Sequence, residues 1–235
     1  MRIPALLLTL VVTLLATSAY SAQTPATTQA SGTLMQVTVD EFPMDCVATT
    51  GITRTTYPAG ATLRILTGSG PAILYVESGT LMLSTGDGAP PLVARAATPQ
   101  SAEAGGEVAV AAGDGFLLAP GATAEIRNDG TEPAAVLDLL AAPDAASELS
   151  EGITQEILVR QEVTLPEPPV SVTLSRTTLE PGDRLSIPGA PALAFYAAVE
   201  RSQVFNLSGQ GVNRLAVPID AYVLVIASTA ASPPA

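Results

Sequence analysis

The chain lacks histidine and lysine altogether and has a single cysteine among its 235 residues. Without imidazole, both the commonest metal ligand and the commonest general base of enzymes are missing. The lone Cys46 cannot form an intramolecular disulfide, so stability has to come from the packed core. We expect Cys46 to be a small buried hydrophobic residue, because a reactive thiol needs a cationic or basic neighbour and no imidazole is present.

Positive charge is also scarce. Ten arginines stand against 22 acidic residues, which gives a formal net charge of −12 at pH 7. Nucleic-acid binding needs a basic face and adsorption to anionic lipid needs basic clusters, so we expect neither a nucleic-acid partner nor membrane association of the mature chain. Charged residues make up 14% of the chain and hydrophobic residues 47%, a balance typical of a compact, well-buried protein.

The N-terminal segment predicts export. Met1-Arg2 is basic, residues 3–16 are almost wholly apolar, and small residues then predominate as far as Ala22. This order is typical of a secretory signal peptide, which we place at residues 1–21, with cleavage near Ser21 and a secreted or extracytoplasmic mature protein. An uncleaved membrane anchor is the alternative, but the apolar run falls short of the ~20 residues that a span usually needs.

Between its ends the chain predicts an all-β protein. Short runs rich in Val, Leu, Ile and Thr alternate with turn signals such as Asn128-Asp129-Gly130, where Asn and Gly accept positive φ. One weak helical candidate lies at residues 145–152. The expected organisation is a signal peptide at 1–21, a flexible linker at 22–32, a β-barrel at 33–142, a second linker at 143–169, a second strand set at 170–228 and a disordered tail at 229–235.

The second strand set repeats the first. Residues 178–187 parallel residues 56–65, with the glycine of the turn aligned in both. After a short deletion, residues 190–196 parallel residues 70–76, including a shared Pro-Ala step. These matches indicate an internal duplication, in which the shorter second copy makes about half a barrel that completes or caps the first.

Two motifs within residues 58–140 resemble those of the cupin superfamily. The first has the turn Pro58-Ala59-Gly60 and the hairpin Tyr75-Val76-Glu77-Ser78-Gly79-Thr80-Leu81. The second, residues 113–133, has a Gly-Asp turn, a Pro-Gly step and an Asn-x-Gly turn in the family's order. The chain especially resembles small secreted bacterial cupin-domain proteins. The resemblance implies a double-stranded β-helix, or jelly-roll, barrel, followed by a degenerate cupin-like half.

The family's metal ligands are replaced in this chain. When the motifs are aligned, the family's first two histidines fall on Leu66 and Gly68, its glutamate on Ala72 and its last histidine on Ala124. None of these side chains offers a lone pair to a metal. We therefore expect neither a metal nor another cofactor, and the family's metal-dependent activities do not carry over. A shared fold does not by itself imply a shared function.

The same alignment predicts which side chains line the barrel. Residues two apart on a strand share a face, so we expect a dry, apolar cavity with six inward side chains. These are Leu66, Ala72, Leu74, Val76, Ala124 and Ile126. Such a cavity favours a non-catalytic binding or structural module without catalytic residues, whose ligand is a small apolar or sugar-like molecule.

An extracellular carbohydrate-active enzyme is the alternative function. Glycoside hydrolysis uses a pair of carboxylates, and the candidates are Asp40, Glu41 and Asp45 near the first strand and Asp138 within an apolar run. The simpler interpretation is that all four are solvated edge and loop charges. A cavity with two inward acids favours the enzyme, whereas a cavity filled by Leu and Val favours the binding module.

Overall fold

The computed structural model describes most of the chain after its N-terminal segment. The described residues are 27–29, 32–40, 47–86, 91–95, 98–101, 106–142, 144–186, 193–199 and 212–229. The predictions for the signal peptide (1–21), for Cys46 and for the tail beyond residue 229 lie outside them.

The described part of the chain contains strands and no helix. In chain order the strands are β1 (Thr27–Gln29), β2 (Thr33–Val39), β3 (Val47–Tyr57), β4 (Thr62–Leu66), β5 (Ala72–Ser78), β6 (Thr80–Thr85), β7 (Leu92–Arg95), β8 (Thr98–Ser101), β9 (Glu107–Ala111), β10 (Asp114–Leu118), β11 (Thr123–Arg127), β12 (Ala134–Ala141), β13 (Ala146–Leu149), β14 (Thr154–Thr164), β15 (Val170–Leu179), β16 (Arg184–Ser186), β17 (Leu193–Ala198) and β18 (Ile219–Ser228). The predicted all-β class is confirmed.

Two antiparallel sheets enclose the first hydrophobic core. A seven-stranded sheet has the order β14-β3-β12-β5-β10-β7-β8, and a five-stranded sheet has the order β13-β4-β11-β6-β9. Both sheets contribute large, fully buried side chains to the space between them, among them Tyr57, Leu74, Leu83, Phe116 and Ile126. The arrangement is that of a β-sandwich in which neither sheet closes on itself.

A third antiparallel sheet covers the other face of the seven-stranded sheet. Its order is β17-β18-β15-β2, and a second apolar core joins it to its neighbour through residues such as Val37, Ile52, Leu137, Val172 and Leu224. The seven-stranded sheet is therefore buried on both faces, as expected from the continuous apolar runs of β5 and β12. A separate short parallel pair joins β1 to β16.

The structure corrects the predicted boundaries between barrel, linker and second half. Residues 143–169, expected to be a linker, contain β13 and β14, which pair with β4 and β3. The helical candidate at 145–152 contains β13 instead. Residues 33–39, expected in the barrel, form β2 and pair with β15 in the four-stranded sheet. Local sequence patterns indicate where a strand lies but not which strand it pairs with. The predicted division into barrel, linker and second half was wrong for this reason.

Asn128 fastens the turn that precedes β12 to the end of β3. Its Nδ2 donates to the backbone oxygens of Tyr57 and Glu132 at 2.9 and 2.8 Å. Its Oδ1 accepts from the backbone N–H of Gly130 at 3.0 Å. The side chain is only 1% exposed, so it satisfies three backbone groups that water cannot reach easily.

Asn213 makes the same contacts in the second strand set. Its Nδ2 donates to the backbone oxygens of Leu179 and Val217 at 2.8 and 2.9 Å, and its Oδ1 accepts from the N–H of Leu215 at 2.9 Å. Sequence comparison alone missed this match, because the flanking residues differ. The signal that could have found it is the Asn followed five residues later by Pro before an apolar run, at Asn128 and again at Asn213.

The two strand sets also have a common sheet order. The seven-stranded sheet contains the order β14-β3-β12-β5. When the four-stranded sheet is read starting from β2, its order is β2-β15-β18-β17, so that β3 corresponds to β15 and β12 to β18. One edge strand of each sheet is separated in sequence from the strands that follow or precede it there. β2 comes directly before β3 in sequence but pairs with β15 in the four-stranded sheet. β14 comes directly before β15 but pairs with β3 in the seven-stranded sheet. The two sheets thus exchange their edge strands.

Arg54 forms a polar cluster at the border of the second core. Its guanidinium donates to both carboxylate oxygens of Glu77 at 2.6 and 2.8 Å and to Glu156 at 3.1 Å. The Tyr222 hydroxyl donates to Glu77 at 2.6 Å. Burial acts to raise the pKa of Glu77, but the hydrogen bonds from Arg54 and Tyr222 outweigh it and hold that pKa below its usual range. The cluster ties β3, β5 and β14 to β18 of the covering sheet.

Replacing Asn128 by Asp should lower the free energy of unfolding by about 3 kcal/mol. The variant keeps the acceptor for Gly130 but turns a carboxylate towards the two carbonyls that the amide now satisfies. Urea unfolding measures the change. Asp129→Asn, at the neighbouring exposed position, is the matched control and should shift stability by less than about 1 kcal/mol. Equal effects of the two variants would show that the Asn128 contacts contribute nothing specific.

Replacing Arg54 by Gln should lower the free energy of unfolding by about 2–4 kcal/mol, because Glu77 then keeps its charge in a largely buried place without its cation. The control is Arg64→Gln. Arg64 pairs with Glu125 but its side chain is 70% exposed, so the loss should stay below about 1 kcal/mol. Denaturant unfolding of both variants checks the difference, and an Arg54 variant as stable as the control contradicts the role assigned to the cluster.

Candidate functional site

A cavity of about 240 Å³ opens at one end of the sandwich, where β12 bulges. Strands of both sheets surround it, and the principal lining residues are Thr49, Thr50, Gly51, Thr53, Leu63, Ile65, Ala72, Leu74, Asp138, Leu140, Ala142, Ala146, Ser147, Gln155, Ile157 and Arg160. Pockets for drug-sized ligands run from roughly 300 to 1,000 Å³. This cavity therefore suits a smaller molecule.

Asp138 is the carboxylate that the fold turns into this cavity. Alternation along β12 places Asp138 on the same face as Val136, which belongs to the sandwich core. The Thr55 hydroxyl donates to Asp138 Oδ2 at 2.6 Å, and Gln155 Nε2 donates to Thr55 Oγ1 at 3.3 Å. Burial raises the pKa of Asp138 to about 6, against the opposing effect of the Thr55 hydrogen bond.

The predicted solvated position of Asp138 is therefore wrong. The carboxyl lies deep in the sandwich, and only part of its surface opens into the cavity. The sequence feature that could have indicated this burial is the position of Asp138 within an apolar run. A polar residue in a strand buried on both faces has no solvent side to turn to, but that burial became evident only once the third sheet was placed.

Tyr57 adds a second unusual polar group to the same interior. Its side chain is fully buried, and its hydroxyl finds no hydrogen-bond partner among the described residues. Burial raises the pKa of Tyr57 well above its usual range, and the negative charge of Asp138 adds to the effect. Both groups face the interior of the sandwich from neighbouring strands, β3 and β12.

Of the six residues predicted to line the barrel, the structure places five in the sandwich core. These are Ala72, Leu74, Val76, Ala124 and Ile126. Ala72 and Leu74 also line the cavity.

Leu66 is the exception, since it is 44% exposed at the end of β4. Ala124, which faces inward, pairs with Ile65 and not with Leu66, and directly opposed residues of an antiparallel pair share a face. The alignment had therefore placed this position one residue too far along the strand. Leu66 lies beside a separate depression that also contains Arg64 and Glu125.

The expectation of an apolar cavity holds for only part of its wall. Leu63, Ile65 and Leu74 give it an apolar side. The rest of the wall includes Asp138, which pairs with Leu74 on the neighbouring strand, and Gln155. Arg160 lies at the exposed rim. The polar side chains from β14 could not be anticipated, because residues 143–169 were expected to be a linker.

The residues present do not fit the metal of the cupin family. Ala72 and Ala124 point inward but have no donor atoms, and Leu66 is exposed. Gly68 lies in a turn with φ of +70°, packed against Asp144 rather than facing the cavity. Among the described residues, no three His, Cys, Asp or Glu side chains come together as metal ligands would.

The described residues also supply no second carboxylate for acid–base chemistry in the cavity. Asp138 is the one acidic side chain among its described lining residues. Asp40 is exposed at the end of β2, in the four-stranded sheet. Glu41 and Asp45, the other predicted acids, lie outside the described residues.

Comparisons with protein-family models, with curated proteins and with solved structures give no match for this chain. In the described residues there is no apolar helix of membrane-spanning length. Any functional conclusion therefore has to come from the site itself.

Asp138 should make the stability of the protein depend on pH. Its pKa of about 6 in the folded state exceeds its ordinary 3.8, so the folded state binds the proton more tightly. Stability should fall as the pH rises from about 4 through about 6 and then stay lower, by at most about 3 kcal/mol. Asp138→Asn should remove this loss, because the amide is neutral throughout and can still accept from Thr55.

The measurement is the free energy of unfolding of wild type and variant at about pH 4 and about pH 7. Relative to wild type, Asp138→Asn should gain about 2–3 kcal/mol between the two values. Asp40→Asn, at an exposed position, is the control and should show no comparable gain. A gain for Asp138→Asn that is independent of pH contradicts a titrating buried carboxyl.

Proposed function

We propose that this protein is a secreted, cupin-like jelly-roll module that binds a small molecule in its sandwich cavity without transforming it. The observation that carries the proposal is the cavity of about 240 Å³, with an apolar side, hydrogen-bonding groups and a single carboxylate among its described lining residues. Binding pockets combine such apolar walls with a few convergent polar groups. The ligand is small and has polar groups, which narrows the apolar or sugar-like molecule expected from the sequence.

The strand pairing supports the jelly-roll part of the proposal. From β3 to β12, leaving out the β7–β8 hairpin, the first strand pairs with the last, β4 pairs with β11, β5 with β10 and β6 with β9. A jelly roll is two Greek keys in which the chain folds back on itself in this nested way. The motif residues of the resemblance also lie at turns here, since Gly60, Gly79, Gly113 and Gly121 all have positive φ.

The two asparagine contacts and the common sheet order support an internal duplication. Asn128 and Asn213 fasten equivalent turns, and their backbone oxygens accept from the N–H groups of Gly60 and Gly182, both at 2.8 Å. We propose that β2 and β14 are the corresponding strands of the two repeats. On this interpretation, the second repeat retains one sheet of the ancestral sandwich and uses it to cover the first.

Secretion and the choice of partner rest on the sequence. The apolar segment of residues 1–21 and the near-absence of cysteine are compatible with export of a protein that needs no disulfides. A formal net charge of −12 argues against nucleic acid as a partner. Within the cavity, hydrolysis of a glycoside by paired carboxylates is the less favoured function, because that mechanism needs a second acid near Asp138.

A ligand screen tests the proposal. We expect at least one class of small polar compound to raise the melting temperature of the mature protein, because a ligand that binds only the folded state stabilises it. Ala72→Leu extends a side chain from the cavity wall and should abolish the response. Ala111→Leu, at an exposed position of β9, should keep it. Absence of any response, or a response that survives in the Ala72 variant, contradicts binding in this cavity.

A further inference from the structure

We infer that the ligand is a small zwitterion, whose ammonium group contacts Asp138 and whose anionic group contacts Arg160. The inference rests on the proposed function and gives that cavity a ligand class. It follows from the charges that line the cavity, from their separation and from the apolar and polar groups that form the rest of its wall.

Asp138 is a carboxylate without a counter-charge. Its one hydrogen bond within the described part of the chain comes from the neutral hydroxyl of Thr55, at 2.6 Å. A buried charge is expensive unless it is paired and hydrogen-bonded. Arg54 and Arg176, by contrast, are matched by Glu77 and Asp220. Asp138 faces a cavity instead of a partner, so an incoming ammonium group can supply the missing charge.

Arg160 supplies the opposite charge at the rim. It lies on β14, lines the same cavity and pairs with no carboxylate of the described residues. Asp138 is opposite Thr53 on β3, and Arg160 is opposite Gly51 on that strand. A strand spacing of about 4.8 Å and a rise of about 3.4 Å per residue put their Cα atoms roughly 12 Å apart. Their side chains can therefore approach two charges of one small molecule.

The remaining walls fit the body of such a molecule. Leu63, Ile65 and Leu74 provide an apolar surface, while Thr53 and Gln155 provide hydrogen-bonding groups. A lone cation would be repelled by Arg160 and a lone anion by Asp138, so a molecule with both charges is favoured over either. The volume of about 240 Å³ limits the ligand to about the size of an amino acid.

The test is calorimetric titration of the mature protein with matched compounds. L-leucine and γ-aminobutyrate are the zwitterions, at two charge spacings. 3-Methylbutylamine and butylamine lack the carboxylate, 4-methylpentanoate and butyrate lack the ammonium group, and 4-methylpentanol is neutral. We expect at least one zwitterion to bind about tenfold or more tightly than its amine and its acid.

Variants then assign the two contacts. Asp138→Asn should weaken zwitterion binding about tenfold or more, and Arg160→Gln should reduce it towards the affinity of the amine. Arg64→Gln, which changes an exposed arginine outside the cavity, should leave binding unchanged. The compound series on the unmodified protein decides the question even where a variant fails to fold.

Two negative results have different meanings. If the neutral alcohol, an amine or an acid binds as tightly as every zwitterion, and Ala72→Leu abolishes that binding, the binding function stands and the zwitterion inference is overturned. If none of the compounds binds and the broader ligand screen also gives no response, the proposed function fails together with the inference.

Discussion

Burial of the seven-stranded sheet on both faces is the constraint on which the rest of the structure depends. One face packs against the five-stranded sheet and the other against the four-stranded sheet. Most side chains of its central strands β12 and β5 are therefore buried, and a polar residue there needs a partner. Arg54 and Glu77 meet this requirement within the protein through a bidentate pair at the edge of the second core. Asp138 meets it only in part, because it accepts one hydrogen bond from the Thr55 hydroxyl and otherwise faces the cavity.

The exchange of edge strands connects this architecture to the site. β14 follows the first strand set in sequence and pairs along the whole length of β3, from Tyr57's neighbour Thr56 to Val47. This pairing brings Gln155 and Arg160 to a cavity whose other walls come from β3, β4, β5, β12 and β13. A sandwich without β14 would keep Asp138 but lose the cationic rim. The segment that joins the two strand sets is thus also a wall of the binding site.

The two strand sets share local features but differ in the sheets that oppose them. Both have the buried asparagine, the glycine turn and the same order of central strands. The cavity lies between the seven-stranded and five-stranded sheets, and the described residues of the second set form no counterpart of the five-stranded sheet. The four-stranded sheet, which contains β15, β17 and β18 of the second set, packs against the seven-stranded sheet. It contributes stability and a covering layer, while the site belongs to the first set.

The sequence by itself determined the all-β class, most of the strands and the inward direction of Ala72, Leu74, Val76, Ala124 and Ile126, because turn glycines and two-residue alternation are local properties. It did not give the correct direction of the Leu66 side chain, because the position was counted from a distant turn and the count was off by one residue. It also could not decide which strands β2 and β14 join, or which face of β12 offers space to Asp138. Those outcomes depend on contacts between residues about a hundred positions apart, as between Gln155 and Thr55, and only the packed tertiary structure brings such residues together.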